Sequence, residues 1–340
     1  MRCAVVGAGI AGLAIARELQ GRGVEVAVYE RTGVGAGASG VQPGGVRQQW
    51  GTRVACRLAR ESVAFWREAT ERLESRVPLE LRRGGYLFTA KSAETLERLA
   101  QNVRVQNEEG VPSRLVSADE AAELVPGLAA DAIAGAAWCG EDGYFDRPQS
   151  VVEAFARGLD IRRQTVRRVG ELDADAVVVA AGLDTRSLVP GLPLAAEDRL
   201  LFLSEPIGER LLEPLVVAPE LAFAAKQLAD GRVLASDLAG QSRTRIRQAI
   251  DELLPRLAYV TFALRVPGVY DVTPDRQPIL GAVDDGVFVA CGFSGHGFMI
   301  APAVARIVAG AVLGERDPVL DVLGPDRFAA GRLVPEPQLV

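Results

Sequence analysis

The chain has 340 residues, 49% of them hydrophobic and 24% charged, with a net charge of −6. That balance belongs to one large folded domain or two interleaved ones with a sizeable core, and excludes a disordered or collagenous chain. No basic surplus exists to draw in nucleic acid, and no apolar run reaches the roughly eighteen residues of a membrane span.

Residues 2–6 (RCAVV) predict a short buried parallel strand. GAGIAG follows, with Gly7, Gly9 and Gly12 in G-x-G-x-x-G spacing, and then the helical run AGLAIARELQGRG. A second strand, 24–30, ends in Glu30. Gly7 permits a tight turn, Gly9 lets backbone approach a pyrophosphate, and Gly12 lets the helix lie close to the strand. The helix N-terminus offers free N–H groups and partial positive charge to phosphates. Glu30 stands where a carboxylate accepts from a ribose diol, which points to a dinucleotide without a 2′-phosphate. NAD and FAD both fit the motif.

The glycine-rich stretch 31–51 is too long for a simple turn and reads as a functional loop. Helical patterns follow over 52–75 and 92–108, with strands at 85–89 and 134–138. SADE (117–120) predicts a capping box opening a short helix. Residues 143–159 read as a loop entering a helix, and 173–185 as a buried strand able to lie beside the first one. Strands are expected at 199–205, 221–226, 231–236, 257–266 and 285–292, with helices at 241–254 and 301–313. The fold class is therefore α/β, a Rossmann-like nucleotide domain interleaved with an α+β substrate domain holding a mainly antiparallel sheet. The nucleotide domain takes 1–80, 141–198 and 272–340, and the substrate domain 81–140 and 199–271.

Cys3, Cys56, Cys139 and Cys291 form no CxxC pair and no regular framework, so they read as structural thiols in a reducing, cytoplasmic compartment. With His296 the only histidine, no zinc or iron site is expected. Lys91 and Lys226 are the only lysines among 38 basic residues. Lys226 lies in the apolar run LAFAAKQ, either at a strand edge with its amine in water or facing a pocket.

Four stretches together resemble the FAD-dependent amine and amino-acid oxidoreductases of the D-amino-acid oxidase superfamily, in the sarcosine oxidase and glycine oxidase branch. They are VVGAGIAGLAIARELQGRG, VVVAAGLDT, GVYDVTPDRQPILG and CGFSGHGFMIAPAVARIVAG. The resemblance implies FAD rather than NAD. It also implies cofactor contacts at Ile10 and Ala11 in the glycine turn, at Arg31, and at Ser39, Gly45 and Val46 in the loop. Val166, Ala181 and Gly182 belong to the same implied set. So do Gly292, Ser294, Gly295, Gly297, Phe298 and Met299, where glycines let backbone pass close to the flavin. His296 matches the histidine that related sarcosine oxidases hold beside flavin and substrate.

The departures matter as much. Gly268 occupies the place of the cysteine that tethers flavin in some relatives, and the N-terminal half has no histidine, so FAD should be non-covalent. Where relatives carry a carboxylate-gripping arginine and lysine, this chain has Tyr270 and Met299. Arg47 is expected to take the substrate carboxylate instead, with Lys226 as a second candidate. The implied reaction is oxidation of the C–N bond of an amino acid or N-alkyl or cyclic amino acid, of the D-amino acid, sarcosine, glycine or proline class, by hydride transfer to flavin N5 to give an imine, with electrons passing on to oxygen or another acceptor. A non-catalytic flavoprotein subunit of a larger complex and an NAD-dependent dehydrogenase are the rival readings. Both a homo-oligomer and a partner subunit are compatible with the sequence.

Overall fold

The computed structural model describes residues 1–337. The last three residues of the expected 272–340 segment lie outside them. Strand Arg2–Val6 runs parallel to Glu25–Glu30 on one side and to Ala176–Val179 on the other. The expected neighbour of the first strand is thus its actual one. Asp160–Arg163 and Val287–Cys291 extend the sheet in parallel, and Ile279–Asp284 closes it antiparallel. Cys3 and Val5 face one apolar layer while Ala4 and Val6 face another. A strand buried on both faces reads as an unbroken apolar run, which is why RCAVV and AVVV show no alternation. Helices Ile10–Gly21 and Gly297–Val312 pack together on one face of this sheet, with Arg53–Arg67 against the latter.

The second sheet has eight strands and is mainly antiparallel, with Phe262–Val272 and Ala195–Pro206 at one end. Its centre holds Leu215–Ala218 beside Tyr86–Ala90, a parallel pair. Leu87, Val216 and Ala225 bury one face against the amphipathic helix Arg243–Leu253 through Ile246 and Ile250. Tyr86, Phe88 and Val217 point to the other side. A small sheet of Gly45–Val46, Gly143–Phe145 and Leu81–Arg82 completes the architecture. Ser117 caps its helix as expected, accepting from Glu120 N at 3.1 Å, and Ser92 caps helix Ala93–Glu108, accepting from Thr95 N at 3.1 Å.

Sequence and structure part in several places. Gly143–Phe145 is a strand within the expected loop, and Leu215–Ala218 and Ile279–Asp284 are strands with no sequence signal strong enough to mark them. The strand expected at 257–266 begins instead at Phe262 and continues to Val272, because Pro255 opens a short 3-10 turn at 255–257. The helix expected at 301–313 starts at Gly297, four residues earlier, and two short helices, Pro318–Leu323 and Asp326–Ala329, follow it. Proline favours the first turn of a helix, the place Pro302 would take in a helix opening at 301. Here Pro302 lies inside the helix, and the backbone groups beside it are served from outside. Trp66 Nε1 donates to the Met299 carbonyl at 2.8 Å, and Ala303 N donates to Ser62 Oγ at 3.2 Å. Two buried side chains on helix Arg53–Arg67 thus accommodate a proline that local propensity would move to the end.

Candidate active site

The glycine turn opens the site. Gly7 has φ +111°, and a Cβ there would run into the Ala180 carbonyl. The turn needs glycine for both reasons. Ile10 N, first in the helix, donates to Ser39 Oγ at 2.9 Å, which ties the long loop to the turn. Glu30 ends its strand with both oxygens engaged. Oε2 accepts from Ala8 N at 2.9 Å, and Oε1 accepts from Thr32 N and Thr32 Oγ1 at 2.8 Å. Burial pushes this carboxyl upward, but these donors outweigh it and hold it below the usual range.

A cavity of about 770 Å³ runs from Glu30 and Arg31, past Gly7, Gly9 and Ala11, to Tyr270, Gly295 and Phe298. That volume and elongation suit a dinucleotide. Two further features fit one. The glycine turn has no Cβ to obstruct it, and Gln42 on the cavity wall buries an amide Nε2 that lacks a partner. Gly9, Ile10, Ala11, Ser39, Val166, Ala181 and Gly182 line the same cavity.

The His296 loop closes the far end. Gly292, Ser294 and Gly295 all have positive φ. Asp271 organises them: its Oδ2 accepts from Gly292 N at 2.7 Å and its carbonyl from Ser294 N at 2.9 Å. Burial raises the Asp271 carboxyl to about 6. A Cβ on Gly295 would come within 2.5 Å of Tyr270 Cζ, so the tyrosine ring fits only against glycine. His296 sits at the start of helix Gly297–Val312 with its ring edge-on to Trp50, centroids 4.5 Å apart. Its Nε2 is buried without a partner. Burial first, then the charges of Arg47 and Arg276, hold its pKa well below 6.5, so the imidazole is neutral at pH 7.

Several expected site residues lie elsewhere. Gly12 packs behind the turn, where a Cβ would strike the Gly7 carbonyl. Gly45 and Val46 belong to the small sheet, and Gly292, Ser294, His296 and Met299 sit behind the cavity surface rather than on it. Arg47 does not line the cavity. It is 1% exposed, its guanidinium stacks on Trp50 at 3.7 Å, and one nitrogen donates to the Gln49 carbonyl. Burial lowers its pKa to about 10, while Glu336 and Asp142 oppose that shift. Both carboxylates come from distant chain segments, so the sequence gives no sign that this arginine already has company. Lys226 is neither at an edge nor in the cavity. Its strand is interior, its amine donates to the Phe145 carbonyl at 3.3 Å and lies 4.1 Å from the Tyr144 ring centre. Burial pushes its pKa down to about 7. Sequence reasoning missed Gln42, Asp271 and Arg199 on the wall. Gln42 was within reach, since it lies in the glycine-rich loop already marked as functional.

Replacing Glu30 with alanine should weaken cofactor retention by about 1.5–3 kcal/mol, the range for a hydrogen bond to a charged group. Titration of apoprotein with cofactor measures this, and an unchanged dissociation constant would remove Glu30 from the site.

The sequence pattern of the DAO family, FAD dependent oxidoreductase, matches residues 2–311. A Rhizobium etli oxidoreductase assigned to thiamine biosynthesis is 30% identical over 335 residues, which is 93% of this chain and 98% of that one. The glycine oxidase of Geobacillus kaustophilus is 26% identical, covering 91% of this chain and 92% of its own. In three dimensions, the L-proline dehydrogenase of P. horikoshii superposes with a TM-score of 0.90 at 26% identity, covering 98% and 99% of the two chains.

Proposed function

Because this chain belongs to the DAO family of FAD dependent oxidoreductases, we propose that it oxidises the C–N bond of an amino acid or of an N-alkyl or cyclic amino acid. The observation that carries the reading is the inner end of the cavity, where Tyr270 and the start of helix Gly297–Val312 meet next to a neutral, buried His296. FAD, when bound, supplies the acceptor for a hydride from the substrate carbon. The helix Gly297–Val312 presents its N-terminus there, and its free N–H groups and dipole would favour negative charge on a flavin held beside it. Tyr270 walls the space above the Gly295 backbone and excludes water from it. His296, kept neutral, offers its unpartnered Nε2 as a hydrogen-bond acceptor at this end, and the substrate ammonium sheds its proton to water before its C–H bond breaks. Water hydrolyses the imine product. Arg47 acts indirectly, as a buried charge beside Trp50 that disfavours imidazolium at His296.

The same reading gives the six-stranded sheet to the cofactor and the eight-stranded sheet to the substrate. The four buried free cysteines support a reducing, cytoplasmic setting. Among the described residues no helix is long and apolar enough to cross a membrane.

Anaerobic mixing with D- and L-amino acids, proline, sarcosine and glycine tests the activity. One of them should bleach the flavin absorbance, and a protein bleached by none is not an amine oxidoreductase of this kind. We further propose that FAD is held without a covalent bond, since Gly268 offers no thiol and the first half of the chain no imidazole. Acid precipitation should leave a yellow supernatant over a colourless pellet. A yellow pellet would overturn it.

A further inference from the structure

An amino-acid substrate brings a carboxylate next to the flavin, and an unpaired buried charge is costly. The cavity wall shows where a partner stands. Of the cations lining it among the described residues, Arg31 and Arg167 are exposed and belong to the Glu30 end, and Arg31 is paired with Asp184 at 2.7 Å. Arg199 is different. Its side chain is only 12% exposed. It projects from strand Ala195–Pro206, directly across from Gly268 on the strand that carries Tyr270. Its guanidinium lies 5.2 Å from the centre of the Tyr270 ring. Tyr270 in turn sits against Gly295, in the loop that carries His296. Arg199 therefore belongs to the reacting end of the cavity and not to the ribose end.

The charge count there is unbalanced. Glu197 pairs with Arg199 and with Arg276, so one carboxylate serves two guanidinium groups. Arg199 also donates to the Asp198 carbonyl at 3.0 Å, a neutral acceptor. The other acid on this wall, Asp271, is committed to Gly292 N. The Arg199–Glu197–Arg276 group keeps a net positive charge beside the cavity.

We propose that Arg199 is the residue that anchors the anionic end of the substrate, and that it restricts the enzyme to amines bearing a carboxylate. This rests on the amine-oxidation reading above. A guanidinium fork binds a carboxylate through two parallel hydrogen bonds, which fixes its orientation as well as its charge. The Glu197 pair pre-orients that fork. The shared chemistry, an anionic oxygen, also occurs in the cofactor diphosphate, and the test separates the two.

The test measures binding without turnover, so it stands apart from whether any amine is oxidised. FAD-loaded protein at pH 7 is titrated with furan-2-carboxylate, a planar carboxylate that cannot be oxidised as an amine, and with its uncharged carboxamide. Flavin absorbance reports occupancy. Wild type should respond to the carboxylate and not to the carboxamide. Arg199→Gln should weaken carboxylate binding about tenfold or more, and Arg199→Lys by less, with FAD content unchanged in both. Glu197 keeps Arg276 as its partner in these variants, so the strand pair should remain folded. Glu197→Gln removes the opposing charge and should tighten carboxylate binding by about threefold. A structural role alone would not move affinity in opposite directions in the two variants. Loss of FAD from folded Arg199→Gln would assign the arginine to the cofactor diphosphate and overturn the proposal. So would equal affinity in wild type and Arg199→Gln, or a wild type that fails to respond to the carboxylate.

Discussion

Replacing Arg327 with alanine is expected to lower the unfolding free energy by about 3–5 kcal/mol, the cost of breaking one partner from a buried ion pair. Arg327 and Asp275 are each 1% exposed and meet through two hydrogen bonds of 2.8 and 2.9 Å. The guanidinium also donates to the carbonyls of Leu323 and Gln277 at 2.8 and 3.0 Å. Asp275 stands in the turn between the strand of Tyr270 and strand Ile279–Asp284, so the pair holds helix Asp326–Ala329 against that turn. Without Arg327 a carboxylate is left buried and unpaired. The sign with pH follows from the direction of the shift. Burial alone would raise the Asp275 pKa, but Arg327 outweighs it and holds it below the usual carboxylate value. The stability it contributes is therefore present above the unfolded pKa of about 3.9 and is lost as pH falls through the folded pKa. The gap between wild type and Arg327→Ala should be widest at neutral pH and shrink in acid. Denaturant titrations at pH 7 and 4 measure it. A gap that grows toward acid would show that the pair is not the source. Arg327→Met combined with Asp275→Asn should recover much of the loss, since neither charge then needs a partner.

Gly7→Ala should be nearly as damaging, and Gly9→Ala should not, although both belong to one motif. At Gly7 the substitution forces a side chain into φ +111°, which costs about 1–3 kcal/mol, and drives its methyl into the Ala180 carbonyl, for a further 1–3 kcal/mol or so. The apoprotein itself should be destabilised by about 2–6 kcal/mol, and purified protein should carry little FAD. Gly9 has an ordinary extended backbone, φ −77°, and its nearest neighbour to an added methyl is Ser39 Oγ at 3.2 Å. Its alanine variant should leave apoprotein stability within about 1 kcal/mol of wild type and lose FAD affinity, because the crowding falls on the cofactor side. Thermal denaturation of the two apoproteins, with FAD titration, separates these outcomes. Equal losses of apoprotein stability would mean that the two glycines serve the same structural purpose.

Much of the cofactor half was legible along the chain. The turn, its helix, Glu30 and the parallel neighbour at Ala176–Val179 are short-range patterns, since a glycine turn and a both-faces-buried strand leave their mark within a few residues. The histidine loop was legible for the same reason, because positive φ at Gly292 and Gly295 demands glycine whatever surrounds it. The helix start at Gly297 was hidden, because the groups that accommodate Pro302 are Trp66 and Ser62, more than two hundred residues earlier.

The sequence by itself determined the family, the cofactor class and the elements that cradle a dinucleotide, all of which rest on local backbone demands and on apolar periodicity. Only the tertiary structure decided which cations line the cavity. Arg47 and Lys226 stood out in the sequence by their neighbours, one in a glycine-rich loop and one in an apolar strand, yet both are turned away from the cavity. Arg199 is one of 36 arginines and carries no local mark. Its direction is set by the register of Ala195–Pro206 against Phe262–Val272, a pairing across about seventy residues. A slip of one residue would turn it to the opposite face. Charge type is written in a residue, but where that charge points is a property of the sheet.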